Sequence, residues 1–524
     1  MNALPAGATV AVVGAGTMGA GIAQIAAAAG HPVLLHDAAA GAAQQGVART
    51  AKGLERLVER GRMSGAQRDD LLGRIRPVED FESLAPAGLA IEAAVEDLET
   101  KRGIFTRLES ICDAGSIFAT NTSSLSITAI GAALERPERL VGMHFFNPAP
   151  VMKLVEVVSG AATDRGIAET LYATAAAWGK SPVHTRSTPG FIVNRVARPF
   201  YAEGLRLLEE GAADAATIDA VMKECGGFRM GPFELMDLIG NDVNLAVTRT
   251  VYESYHYDSR FKPSLLQEEL IAAGRLGRKS GRGFYDYAED ARPPRASTAE
   301  SVAAPARIVV EGDLGAAESL VPLIEEAGIA VERRRGPGAI RCGAARLALT
   351  DGRYATVRCA EAGLENLVAF DLANDYRQAT RVALAPADQT GADALREAQG
   401  LFQALGKQVS VVDDYPGLIV MRTVCMLANE AADAVNQGVC STGDVDTAMQ
   451  LGLNYPLGPL AWADAVGLRA VVTVLDNLAR TYGEERYRCS PLLRRWLAAG
   501  ARARGGGRGL NGSVTVPSHN LRKL

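Results

Sequence analysis

A histidine at the end of one apolar run and a glutamate inside the next are the residues in this 524-residue chain best suited to proton transfer. His144 closes Gly142-Met143-His144 and is followed by Phe145-Phe146-Asn147-Pro148, and Glu156 sits in Lys153-Leu154-Val155-Glu156. A histidine titrates near neutrality and suits the task of taking a hydroxyl proton. A carboxylate behind it fixes the tautomer and stabilises the imidazolium. A charge inside Leu154 to Val158 needs a partner if it is buried, which ties Glu156 to that role. Ser123, in Thr120-Asn121-Thr122-Ser123-Ser124, and Asn194 could hold a substrate oxygen, although an amide at a helix start can also simply cap. His31 and His36 lie in a turn and a strand and read as structural.

Oxidising an alcohol also removes a hydride from carbon, which needs an acceptor beside the base, and the chain offers a place for one at Gly14-Ala15-Gly16-Thr17-Met18-Gly19. The glycine spacing alone is a weak signal. Here it follows a short apolar strand, Thr9 to Val13, opens a helix, Met18 to Ala29, and precedes Asp37 at the end of a second strand, Val33 to His36. That context is the one dinucleotide binding requires. Gly14 permits the tight turn, Gly16 lets the backbone approach a pyrophosphate, and Gly19 lets helix and strand pack, with Thr17 and Met18 opening the helix whose free amides meet the phosphates. Asp37 would accept from both ribose hydroxyls and repel a 2′-phosphate, and Ala38-Ala39-Ala40 supplies no arginine, so NAD is expected over NADP. A flavin fits the glycines, but nothing else suggests an isoalloxazine site. Asn121, at a strand end, is expected to face the same cofactor crevice.

The positioning elements follow. Strands at Leu89 to Glu92 and Ser116 to Thr120 alternate with helices, including a long one from Ala42 to Arg62, which predicts a doubly wound, mostly parallel α/β Rossmann domain over 1–187. After Thr188-Pro189-Gly190 come amphipathic segments at 191–211, 214–225, 231–256 and 263–274 with no convincing strand, so 188–288 is expected to be an all-α domain. Residues 289–306, rich in Ala, Pro and polar residues, read as an exposed linker. Residues 307–413 read as a degenerate α/β region without a glycine fingerprint.

An internal repeat organises the rest: the helical segment returns at a constant offset of 227 residues, the spacing from Gly190 to Gly417. Arg195, Glu203, Asp219, Gly231-Pro232 and Asp237 find Arg422, Glu430, Asp446, Gly458-Pro459 and Asp464. A second all-α copy is therefore expected over 414–510, followed by a tail, 511–524. The position matching Asn194 is Met421 and no HFFNP precedes it, so this copy is expected to be non-catalytic.

Composition excludes several classes. A 48% apolar and 22% charged chain of net charge -5 is an ordinary globular composition and argues against nucleic acid as a partner. Apolar stretches such as Ile22 to Gly30 fall well short of the roughly 20 residues that cross a bilayer, so no membrane association is expected. The first seven residues lack a secretory pattern, and seven cysteines without a CxxC spacing suit reduced thiols, so a cytoplasmic protein without a bound metal is expected.

GAGTMGAGIA, TNTSSLSIT, HFFNPAPVMKLVEVV, TPGFIVNR, MGPFELMDLIG and GRKSGRGFYDY, in that order over residues 8–287, together resemble the 3-hydroxyacyl-CoA dehydrogenases. The resemblance implies NAD-dependent oxidation of a 3-hydroxyacyl-CoA to the 3-oxo thioester. It implies that His144 and Glu156 form the catalytic pair, that Ser123 and Asn194 orient the substrate, and that NAD is also contacted at Glu96, Lys101, Asn147 and Lys279. Arg56 and Arg60 are basic candidates for the CoA phosphates, against the plain reading of a solvated helix face. The whole-chain layout, with NPAPVMKLVEVVSG and RVARPF, is similar to a bacterial branch of that family acting on 3-hydroxyadipyl-CoA in phenylacetate degradation. A 3-hydroxybutyryl-CoA enzyme of fatty-acid or butanoate metabolism would share every catalytic residue. An NAD-binding structural or sensor module has no reason to keep the four polar residues in order, and a 6-phosphogluconate-type enzyme would want a lysine where Asn194-Arg195 stands. Shorter family members pair through their helical domains, which implies a homo-oligomer or a second copy packing on the first helical domain in the partner's place.

Overall fold

The computed structural model describes residues 2–292 and 294–504, so the tail expected over 511–524 lies outside the described residues. One compact unit comprises residues 1–193 with 439–453, and a second comprises 194–438 with the segment from 454 onward.

The first unit is built on eight strands, β1 Val10–Val13, β2 Val33–His36, β3 Ile75–Val78, β4 Leu89–Glu92, β5 Ile117–Thr120, β6 Leu140–Phe145, β7 Leu154–Ser159 and β8 Ser181–Arg186. They run in the order β3-β2-β1-β4-β5-β6-β7-β8, parallel throughout except at β6–β7. Buried Val, Ile, Leu and Ala side chains form an apolar cluster on each face, as a sheet covered on both sides requires. β3 carries Arg76-Pro77 and takes the edge, the place where a missing ladder donor costs least. The helix expected over Ala42 to Arg62 ends at Glu59, and a separate helix, Gly65–Gly73, starts at a capping box between Ser64 and Gln67. The helix Thr442–Leu453 lies against β7 and β8, where Arg186 N donates to Val439 O at 2.9 Å.

The second unit holds helices Arg198–Glu209, Ala215–Glu224, Pro232–Ile239, Asn241–Ser254 and Leu265–Ala272. The amphipathic run 231–256 is broken at Gly240, whose φ of 101° places it in the region that favours glycine. A mixed sheet of seven strands follows: β9 Arg307–Glu311, β10 Ala330–Arg334, β11 Ala339–Cys342, β12 Ala345–Leu349, β13 Leu367–Phe370, β14 Arg381–Pro386 and β15 Gln408–Val411, in the order β10-β9-β11-β12-β13-β14-β15. β13, β14 and β15 begin 227 residues after β6, β7 and β8, and β13–β14 is antiparallel as β6–β7 is. The degenerate region thus repeats the last three strands of the first sheet. The linker is exposed along most of its length yet anchored: Ser297 N donates to Thr217 Oγ1 at 2.9 Å and Ala299 N to Val409 O at 2.8 Å.

Contacts inside the second unit come in reciprocal pairs. Arg195 Nε donates to Glu430 Oε1 at 2.6 Å and Arg422 Nε donates to Glu203 Oε2 at 2.6 Å, all four residues being buried. The bond from Asp413 N to Ala212 O, 3.0 Å, mirrors that from Arg186 to Val439 within the first unit. The helix Ala215–Glu224 lies against β14 as Thr442–Leu453 lies against β7. Gly190-Phe191 and Gly417-Leu418 share the same positive φ angles, 75° and 47° against 79° and 52°, so the entry to the long helix is repeated down to its backbone conformation.

Candidate active site

β6 and β7 are antiparallel in a register that sets His144 directly opposite Glu156. Cross-strand neighbours share a face, and Nδ1 of His144 lies 2.6 Å from Oε2 of Glu156. Glu156 is fully buried, and its other oxygen accepts from the amides of Ile192 and Val193, both at 3.0 Å. A carboxylate with both oxygens engaged this way holds the proton on Nδ1 of His144 and leaves Nε2 with its lone pair. The imidazole is wedged between Phe146 and Phe191, with ring centroids 4.5 and 5.8 Å away. The pair can take a proton at Nε2 and stabilise the resulting cation.

The glycine loop follows β1, which runs parallel to β6 through β4 and β5 in the same sheet. Gly14 has φ 105°, and a Cβ there would meet the carbonyl oxygen of Ala93 at 2.5 Å. A Cβ on Gly19 would fall 1.8 Å from Gly14 O, so these two glycines are required by the turn and by helix packing. Gly16 has nothing within 4 Å of its Cβ position. Protein packing therefore does not demand glycine there, and open space beside the start of the helix Thr17–Ala28 is the cradle a pyrophosphate needs. Asp37 accepts from Ala15 N at 2.7 Å and Ala39 N at 3.0 Å. Arg49, which the sequence reading passed over, donates to Ala15 O at the same loop.

Glu92, at the end of β4, is the other residue that reading missed. It is fully buried, accepting from Lys101 Nζ, Thr120 Oγ1 and Ala94 N, each at 2.6 Å. A charged residue closing an apolar strand is the same signal that marked Glu156. Lys101 is itself buried and reaches Glu96 at 3.3 Å. Glu96 accepts from Thr122 Oγ1 at 2.6 Å, Ser123 N at 2.9 Å and Ser124 N at 3.1 Å. Burial pushes the Glu96 carboxyl up, but these donors and Lys101 outweigh it and hold the group below its ordinary value. Asn121 Oδ1 accepts from Phe145 N at 2.9 Å, tying β5 to the residue after His144. Asn147 is exposed just past β6.

The structure brings together His144 with Glu156, and Ser123 with Glu96 and Lys101. Asn194 belongs to the second unit, in the short helix Val193–Val196. Lys279, also there, pairs with Asp242 at 2.6 Å. Arg56 and Arg60 are exposed at the end of the helix Ala42–Glu59.

The second copy carries other residues at these positions. Asp371 occupies the position of His144 and Ala383 that of Glu156, counted along the repeat. Asp371 is fully buried and accepts from the amides of Ile419, Val420 and Met421 at 2.9, 2.7 and 3.0 Å. One carboxylate thus fills the helix-capping role of Glu156 from the neighbouring strand. Burial pushes it up to about 6, although the amide donors oppose that. Among the described residues no group of three His, Cys, Asp or Glu could hold a metal ion, and no helix is long and apolar enough to cross a membrane.

Comparison with known proteins places these observations. The profile of the 3-hydroxyacyl-CoA dehydrogenase NAD binding domain matches residues 9–188, and that of the C-terminal domain matches twice, at 190–287 and 417–511. The 3-hydroxybutyryl-CoA dehydrogenase reduced Rossmann-fold domain matches 347–416. The chain is 44% identical over 486 residues to 3-hydroxyadipyl-CoA dehydrogenase of Escherichia coli, covering 93% of this chain and 96% of that protein. It is 40% identical over 278 residues to 3-hydroxybutyryl-CoA dehydrogenase of Clostridioides difficile, covering 53% of this chain and 99% of the other. A crystal structure of 3-hydroxybutyryl-CoA dehydrogenase from Escherichia coli superposes with a TM-score of 0.87 at 43% identity, covering 95% of this chain and all of that one. The chain belongs to the 3-hydroxyacyl-CoA dehydrogenase family, and its cofactor is NAD.

Proposed function

We propose that this member of the 3-hydroxyacyl-CoA dehydrogenase family oxidises 3-hydroxyadipyl-CoA, with His144 as base. The observation that carries the chemistry is the 2.6 Å contact between His144 Nδ1 and Glu156. Similarity along nearly the whole chain to a 3-hydroxyadipyl-CoA dehydrogenase supports the substrate. 3-Hydroxybutyryl-CoA is the second reading, supported by the solved structure bearing that name.

His144 Nε2 takes the proton of the substrate's 3-hydroxyl while the C3 hydride leaves. Glu156 keeps Nδ1 protonated throughout and offsets the charge of the imidazolium. Bound NAD supplies the hydride acceptor. Gly16 and the first turn of the helix Thr17–Ala28, with Thr17 and Met18, hold its pyrophosphate, Asp37 its ribose, and Asn121, Asn147 and Lys279 further groups. Glu96 contacts the cofactor, and the buried Lys101 positions Glu96. Ser123 and Asn194 orient the substrate oxygen. Arg56 and Arg60 meet the CoA phosphates from their exposed helix end.

One active site serves the chain, because Asp371, Ala383 and Met421 stand where His144, Glu156 and Asn194 would recur. The division into 1–187, 188–288, a linker to 306, 307–413 and 414–510 describes one working half and one that has become scaffold. The reciprocal pairs Arg195–Glu430 and Arg422–Glu203 have the form of an isologous interface, which supports the second copy standing where a partner subunit would. Seven cysteines, six of them buried, support a reducing, cytoplasmic setting. Assaying NADH formation with 3-hydroxybutyryl-, 3-hydroxyhexanoyl- and 3-hydroxyadipyl-CoA tests the assignment. Comparable rates on all three would overturn the adipyl preference, and none on any would overturn the reaction.

A further inference from the structure

A cavity of about 650 Å³ lies within the second unit, between the helix Arg198–Glu209, the helix Asn241–Ser254 and the segment 261–267. Leu205, Phe261 and Leu266 give it apolar walls, and Arg198 lies among them. Arg198 is only 5% exposed. Its Nη1 donates to Thr248 Oγ1 at 2.9 Å and its guanidinium lies over the Tyr201 ring at 4.9 Å, but its Nε is buried without a hydrogen-bond partner among the described residues. Among the described residues no carboxylate pairs with it: burial lowers its affinity for the proton, and the Tyr201 and Tyr455 hydroxyl groups counter that. Glu209, the acid on the cavity wall, bonds instead to Ser264 and the Leu266 amide. A buried cation without a counter-charge is costly, so what it is kept for needs an answer.

Helix packing does not supply one. The repeat retains the packing charges, Arg195 as Arg422 and Glu203 as Glu430. Around Arg198 the polar groups are gone: the positions of Arg198, Tyr201, Asn244 and Thr248 are Cys425, Ala428, Val471 and Leu475, all buried, while Arg206, Glu209 and Gln267 at the rest of the wall stand as Asp433, Asn436 and Arg494. The same helical frame therefore closes over apolar residues when it has no substrate to meet. Arg198 opens its helix four residues after Asn194 of the short helix Val193–Val196, and Ala197 at the join keeps a helical conformation, so the two lie about one turn, ~6 Å, apart along the chain. In a six-carbon dicarboxylic chain the distal carboxyl lies three carbons beyond the hydroxyl-bearing C3, a span of the same order.

We propose that Arg198 receives the distal carboxylate of a dicarboxylic 3-hydroxyacyl-CoA and sets the enzyme's preference for it. This rests on the dehydrogenase reading above and on Asn194 lying at the substrate oxygen. The carboxylate supplies the missing counter-charge and accepts from the guanidinium, and a methyl-ended chain leaves that charge buried and unanswered.

The test compares 3-hydroxyadipyl-CoA, its terminal amide and 3-hydroxyhexanoyl-CoA on the full-length enzyme. Wild type is expected to favour the acid over both by on the order of 10²–10³-fold in kcat/KM, the range for a desolvated charge pair. Arg198→Met should remove that preference while leaving the hexanoyl rate within about threefold, and Arg198→Lys should retain part of it. The proposal is overturned if Arg198→Met keeps the wild-type ratio, or if the three substrates fall together. The wild-type comparison needs no variant to fold: equal rates on acid and amide overturn the assignment of Arg198 alone, whereas no oxidation of any thioester overturns the dehydrogenase reading beneath it.

Discussion

Arg195 donates to Glu430 at 2.6 Å, and 227 residues further along the same pair recurs with the roles exchanged, Arg422 donating to Glu203. Residue i meeting j while j's counterpart meets i's is the signature of a twofold interface, here formed within one chain. Glu430 also accepts from Arg260 at 3.0 Å. Removing a buried partner leaves an uncompensated charge, so Glu430→Ala should destabilise the protein by about 3–5 kcal/mol, seen as a lowered unfolding midpoint in urea. A shift under 1 kcal/mol would show that these pairs do not hold the two copies.

The same relationship predicts the behaviour of a chain ending at residue 288. It loses the buried helix Val420–Asn436 that covers Arg198–Glu209, and it is expected to self-associate or precipitate during sedimentation. A stable, active monomer would contradict the view that the second copy stands in a partner's place.

Asp371 gives a pH dependence with a definite sign. Its carboxyl is pushed up to about 6 from an ordinary 3.8 by burial, so between about pH 4 and 6 the folded chain keeps a proton that the unfolded chain has lost. Stability from this group is full below that window and declines through it as pH rises. Asp371→Asn should flatten that part of the profile of unfolding midpoint against pH, and an unchanged slope would assign it elsewhere.

Glu156→Gln tests the carboxylate's role in holding the tautomer. The amide can still accept from Ile192 and Val193, but its other end donates toward Nδ1 of His144 and moves the ring proton to Nε2. Turnover should fall by about 10²–10⁴-fold with NAD binding, measured by fluorescence titration, nearly unchanged. Loss of NAD binding in parallel would mean that Glu156 acts through the fold.

Much of this site is legible in the sequence alone. Gly14 and Gly19 announce their turn because only glycine fits, and Glu156 announces a partner because a lone charge in an apolar strand cannot stay lone. The antiparallel step at β6–β7, which sets His144 opposite Glu156, left no local mark: register is a tertiary property. Glu92 carries the Glu156 signal more faintly, because a charge at the end of a strand can as well reach solvent. Only the resemblance singles out Lys101, as an NAD contact, and only packing reveals it buried on Glu92. Breaks at Gly240 and between Glu59 and Ser64 fall inside continuous amphipathic patterns, where periodicity outweighs a single breaker.

The most direct measurement is hydride transfer in a single turnover of His144→Gln with saturating NAD and a 3-hydroxyacyl-CoA. The account predicts NADH formation slowed by about 10²–10⁴-fold, with affinity for NAD and the unfolding midpoint close to wild type. A wild-type rate of NADH formation in that variant would contradict the assignment of His144 as the base.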